Sequence, residues 1–153
     1  DPVLISHLTL DGEVADEGEA GNAAIYYGGD PQFVDGHDGT PSGALMFDGL
    51  DDMVQISHDD MLPLYGHYHF SIAMWVKGLP GQADRRVFSE ASTLSNNPLY
   101  NLGTDNTGLT GEFDALVRND ANAAALPHTH SQGIAFDGAW HHVACDTVMP
   151  PGT

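Results

Sequence analysis

The sequence predicts an all-β chain folded as a two-sheet antiparallel β-sandwich, and three observations carry this. In Phe70-Ser71-Ile72-Ala73-Met74-Trp75-Val76-Lys77, the residues Phe70, Ile72, Met74 and Val76 share one face while Ser71, Ala73, Trp75 and Lys77 share the other. That period of two belongs to a strand, not a helix. Short β-prone runs recur between Gly, Asn and Asp clusters, with 18 Gly and 9 Pro supplying turns, the spacing of a sandwich or barrel. No internal repeat and no heptad pattern competes with this reading.

Taken in order, Val3 to Leu10 is β-prone and stops at Asp11-Gly12, so it predicts a first strand. Residues 12–43 are rich in Gly, Asp and Glu and read mostly as loop, with strands only at Ala23 to Tyr27 and Gln32 to Val34. Ala44 to Phe47 and Met53 to Ile56 flank the acidic turn Asp48-Gly49 and predict a hairpin. Phe70 to Lys77 follows, then strands at Arg86 to Ser89, Leu99 to Leu102, Glu112 to Arg118 and Trp140 to Cys145. The Ala-rich Asn122 to Leu126 predicts one helical turn closed by Pro127.

At 153 residues the chain is expected to form a single domain over 1–153, large enough to bury a core without a disulfide. Cys145 is the one cysteine, and its neighbours Val143 and Ala144 predict a buried strand position. With 22 Asp and Glu against 4 Lys and Arg, the formal charge of −18 repels phosphate backbones and anionic lipid surfaces. Nucleic acid and membrane are therefore excluded as expected partners. No apolar run reaches the roughly 20 residues of a spanning helix, and Asp1-Pro2-Val3 lacks a basic leader. A secreted, extracellular chain with its export signal removed is expected.

Four blocks, in order, carry a resemblance: Leu8-Thr9-Leu10-Asp11-Gly12, Ala44 to Val54 with its Phe47-Asp48-Gly49-Leu50-Asp51-Asp52, Phe70 to Lys77, and Phe136-Asp137-Gly138-Ala139-Trp140-His141-His142-Val143-Ala144. Together they resemble the laminin-G-like, concanavalin-A-like jelly-roll family over Leu8 to about Asp146. The resemblance implies a jelly roll, a structural Ca2+, and glycan binding or adhesion within a longer secreted protein. The family continues with further strands beyond the Trp-His-His block, whereas this sequence stops at Thr153. The sandwich is thus expected to lack C-terminal strands, and its open edge to invite self-association.

Ca2+ needs several hard oxygen ligands. Asp48, Asp51 and Asp52 place three carboxylates in one turn, with Asp11 ending a strand expected beside it. Asx residues also favour turns without metal, and both readings stand. The acidic cluster Asp35 to Asp38 lacks EF-hand spacing and reads as solvated loop. Tyr65, Tyr68 and Tyr100 are candidate platforms for sugar rings, whereas Trp75 and Trp140 read as core. The His-x-His pairs His67/His69 and His128/His130 each offer two imidazoles on one side of a strand, to a metal or to ordinary packing. Glu112-Phe113-Asp114 begins like a glycoside-hydrolase strand of this fold, but Leu116 and Val117 stand where a second glutamate is needed. An edge-strand charge pair is the expectation there.

These residues lead to an extracellular module that recognises glycans or another extracellular protein with Ca2+ support. A self-assembling surface protein completed by a neighbouring chain is the alternative, and a glycoside hydrolase comes third.

Overall fold

The computed structural model describes residues 3–57, 64, 67–91, 94 and 98–148. Among these the chain is all-β and antiparallel, with ten strands and no α-helix. It forms two compact units, Asp1–Gly66 and His67–Thr153.

The first unit holds β1 (Ala24–Tyr27), β2 (Gln32–Val34), β3 (Ala44–Met46) and β4 (Met53–Ile56). β1 pairs with β4, from Ala24 opposite Ile56 to Tyr27 opposite Met53, and β2 pairs with β3. The predicted strands at Ala23 to Tyr27, Gln32 to Val34, Ala44 to Phe47 and Met53 to Ile56 are present, but the last two do not form a hairpin. Each pairs with an earlier strand instead. The turn between them is closed by its own carboxylates: Asp48 accepts the Leu50 N–H at 2.7 Å and Asp52 accepts the Asp48 N–H at 2.8 Å. Those bonds replace a ladder.

The predicted first strand is also corrected, because residues 3–10 join no ladder. Their main chain is tied to the segment that follows, His7 O accepting from Glu17 N at 2.7 Å and Leu4 O from Glu19 N at 2.8 Å. Asp16 takes the His7 N–H at 2.7 Å and the Gly18 N–H at 2.8 Å, and Leu10 has a φ of 58°. A side-chain acceptor and a left-handed residue thus displace regular pairing despite the β-prone composition.

The second unit holds β5 (His69–Val76), β6 (Arg86–Ala91), β7 (Pro98–Thr104), β8 (Glu112–Arg118), β9 (Ala124–Ile134) and β10 (His141–Val148). β5 and β10 form one sheet; the other runs in the order β6-β7-β8-β9. Tyr100 on β7 joins them: its ring meets Phe70 of β5 edge-on at 5.4 Å, and its hydroxyl lies 2.8 Å from Thr147 Oγ1 and 3.1 Å from Cys145 Sγ on β10. Burial alternates along β5, with Phe70 and Val76 buried and Ser71, Ala73 and Trp75 exposed. Period two therefore reports the core face correctly.

Trp75, expected in the core, is 47% exposed and packs edge-on against His142 at 5.2 Å. Trp140 is half-buried with Lys77 Nζ 5.9 Å from its ring centroid. Cys145 is half-buried rather than sealed in. The largest correction is β9, where one helical turn was expected. Residues 119–123 form a turn closed by Asn119 and Ala123, with Asn122 at a φ of 63°, and an 11-residue strand follows. As β9 pairs only with β8 among the described strands, it tolerates Pro127, which lies where the register shifts.

Candidate functional site

Of the four predicted calcium ligands, Asp48, Asp51 and Asp52 converge, each offering a carboxylate oxygen within 4.8 Å of the others. Asp11 is exposed and is not in that group. Asp52 accepts a 2.5 Å hydrogen bond from the Tyr26 hydroxyl as well as the Asp48 N–H. These two bonds, Tyr26 first, hold its carboxyl below the usual range. The Tyr26 phenol is pushed up to about 12, chiefly by that same bond. Gly28, at a φ of +111°, passes directly against the Asp52 carboxylate, so a Cβ there would collide with it. None of the three aspartates forms an ion pair with a described residue.

Of the candidate tyrosines, Tyr68 is exposed, Tyr100 is buried at 5% with its hydroxyl committed to the core, and Tyr65 lies outside the described residues. Burial raises the Tyr100 phenol further, so it remains a neutral core group.

The structure brings together two motifs that sequence spacing kept apart. Glu112 and Asp114 lie on one face of β8; His128 and His130 lie on β9 beside them. Asp114 stands opposite His130 in the ladder. His128 Nδ1 is 2.5 Å from Asp114 Oδ2, His130 Nε2 is 3.5 Å from Asp114 Oδ1, and His130 Nδ1 is 3.0 Å from Glu112 Oε2. β8 lies between β7 and β9, so Glu112 and Asp114 are not the edge-strand pair expected. His69 of the other His-x-His pair opens β5, opposite Val148, and His67 precedes the strand.

Local sequence produces this convergence. Phe113 N donates to Ser131 Oγ at 3.0 Å, and that hydroxyl donates to Gly133 O at 2.6 Å. The register shifts there, from Glu112 opposite Ile134 to Asp114 opposite His130. Such a bulge re-aims side chains, and it brings His130 within reach of both acids. On the other side of β8, Asp114 faces Gly103 of β7, over which the Arg85 carbonyl passes too closely for any side chain.

One buried acid escaped the sequence reading. Asp105 is 1% exposed and folds the β7–β8 loop around itself, accepting from Thr107 N, Gly108 N, Thr110 N and the hydroxyls of Thr107 and Thr110. Asp-x-Thr-Gly-x-Thr is a legible Asx-turn signal, and it was available to find this loop.

A comparison with protein-family models, curated proteins and solved structures gives no match for this chain.

Proposed function

We propose that the chain is an extracellular binding module of the laminin-G-like type, whose acidic turn takes Ca2+ and supports recognition of a glycan or an extracellular protein. The observation that carries this reading is the convergence of Asp48, Asp51 and Asp52 on one turn. Three carboxylates with no ion-pair partner among the described residues, in a chain of formal charge −18, favour a hard cation. The antiparallel all-β fold is compatible with the family, and the Tyr26 bond orients Asp52 before any ion arrives. Water and main-chain oxygens would complete the coordination.

Calorimetric titration of EDTA-treated protein with Ca2+ tests the ion: one equivalent is expected, with a rise in Tm that Asp48→Asn and Asp51→Asn abolish. No heat and no thermal shift would dispose of the calcium. A glycan array and an extracellular-protein panel, each read with and without Ca2+, then test recognition. Ca2+-dependent capture is expected, and silence on both would defeat the module reading.

One observation favours a second reading, self-assembly. Among the described strands β9 is an 11-residue edge strand exposed along nearly its whole length, the kind of edge that templates pairing with another chain. Light scattering over a concentration series distinguishes the two: growth in mass supports assembly, and a constant monomer mass rejects it.

A further inference from the structure

We propose that Asp114, His128 and His130 form a binding site for a late divalent transition metal of the Zn2+ class, with Glu112 as the positioning residue for His130. The site is independent of the calcium reading, since it shares no residue with the acidic turn and uses nitrogen donors that Ca2+ does not favour.

The donor set comes first. Two imidazoles and one carboxylate each present a ligand atom within 4.8 Å of the others. In a tetrahedral zinc site, bonds of about 2.0–2.1 Å place neighbouring donors about 3.4 Å apart. His130 Nε2 and Asp114 Oδ1 are already 3.5 Å apart, and His128 Nδ1 is 2.5 Å from Asp114 Oδ2. The His130–Asp114 spacing already suits an ion, whereas His128 would exchange its hydrogen bond to Asp114 Oδ2 for the metal by turning about its side chain.

An independent observation points to a ligand. Asp114 is 7% exposed, and its Oδ1 is sealed from solvent with no hydrogen-bond partner among the described residues. A buried carboxylate oxygen left in this state costs free energy that neighbouring donors normally offset. Oδ1 faces His130 Nε2 across a gap longer than a good hydrogen bond, and a cation bound there would satisfy both atoms at once.

The surroundings also match what a metal-binding histidine needs. His130 Nδ1 lies 3.0 Å from Glu112 Oε2, so with the Nδ1 proton donated to Glu112, Nε2 is left as a free lone pair toward Asp114. This is the carboxylate–histidine–metal arrangement that fixes tautomer and ring orientation. Three protein donors leave one tetrahedral position open. Asp114 and His128 also line a shallow depression with Arg86, Asn101 and Thr104.

The test is calorimetric titration of the EDTA-treated full chain with ZnCl2, repeated with Co2+ to read visible absorption from bound metal. One equivalent is expected, with d–d bands of a low-coordinate nitrogen and oxygen site. Glu112→Gln is expected to weaken binding by about 10- to 100-fold, and His128→Ala or His130→Ala to weaken it more. Both histidines are partly exposed, so these variants remain informative even if Asp114→Asn fails to fold, and circular dichroism verifies each. Asp48→Asn is expected to leave the zinc titration unchanged, which separates this site from the calcium turn. No zinc binding, undiminished binding in His128→Ala and His130→Ala, or loss of binding in Asp48→Asn would each overturn the proposal.

Discussion

Asp105 and Asp114 are both buried acids of the same unit, 1% and 7% exposed, yet the chain treats them in opposite ways. Asp105 sits in a loop where the amides of Thr107, Gly108 and Thr110 and the hydroxyls of Thr107 and Thr110 turn inward to it, so both of its oxygens are saturated by local donors. Asp114 sits on β8, which is paired on both sides, beside a shift in the β8–β9 register. Two imidazoles from β9 approach it, and among the described residues one of its oxygens has no hydrogen-bond partner. Burial alone does not distinguish a structural acid from a functional one. The inventory of donors does: a saturated carboxylate has nothing left to bind, and an under-satisfied one invites a ligand.

The largest effect expected from this contrast is at Asp105. Asp105→Ala strands the inward-facing donors of residues 107–110, and a thermal melt is expected to show the largest fall in Tm of any substitution considered. The acid limb of stability gives a sharper reading. The Thr107 hydroxyl above all, then the Thr107 amide and the Thr110 groups, outweigh burial and hold the Asp105 carboxyl well below its usual value. A group depressed on folding contributes fully above the unfolded carboxylate pKa of about 3.9 and loses that contribution as pH falls toward the folded value. Asp16 acts in the same direction: burial pushes its carboxyl up, but hydrogen bonds from the His7 and Gly18 amides and the Asn22 side chain outweigh it. Tm is thus expected to fall steeply below about pH 4, and Asp105→Asn to flatten that fall. An unchanged slope in the variant would break the contrast from the Asp105 side.

A smaller effect is expected at the metal-free Asp114 pair. His128→Ala removes the nearest partner of a buried carboxylate, but the imidazole is 40% exposed, so screening limits the loss to about 1 kcal/mol in urea unfolding. In a double-mutant cycle with Asp114→Asn the combined loss should be less than the sum of the two. Strict additivity would mean that the contact carries no coupling and that Asp114 is as self-sufficient as Asp105.

How much of this was legible in the sequence depended on whether burial is one-sided. β5 was readable because Phe70 and Val76 face the core while Ser71, Ala73 and Trp75 face outward. β9 was not, because exposure along nearly its whole length removes the apolar alternation and Pro127 reads as a terminator. The Asp48-Gly49 turn was found, but strand partners are chosen by tertiary pairing, and β3 and β4 went to β2 and β1. His-x-His and Glu-x-Asp were each visible. Their meeting depends on the Ser131 bulge and the β8–β9 register, neither of which local composition records. Tyr100 looked like a sugar platform for a similar reason: an aromatic side chain carries no label for the face it takes.

Between the saturated and under-satisfied extremes stands Asp52, with one strong donor in Tyr26 and one amide in Asp48. The smallest effect expected is therefore spectroscopic rather than energetic. If the hydrogen bond to Asp52 is the main reason the Tyr26 phenol is raised to about 12, Asp52→Asn returns it toward the ordinary value of about 10. A ring-selective NMR titration should then find Tyr26 largely protonated at about pH 11 in the wild type and largely ionised in the variant. Asp48 and Asp51 also raise the phenol, but through space and more weakly. A phenol still near 12 in Asp52→Asn would reverse that ranking, making the turn a diffuse pool of negative charge instead of one oriented by a single bond. Calcium affinity would then depend on the sum of carboxylates, with Asp48→Asn and Asp52→Asn weakening it equally.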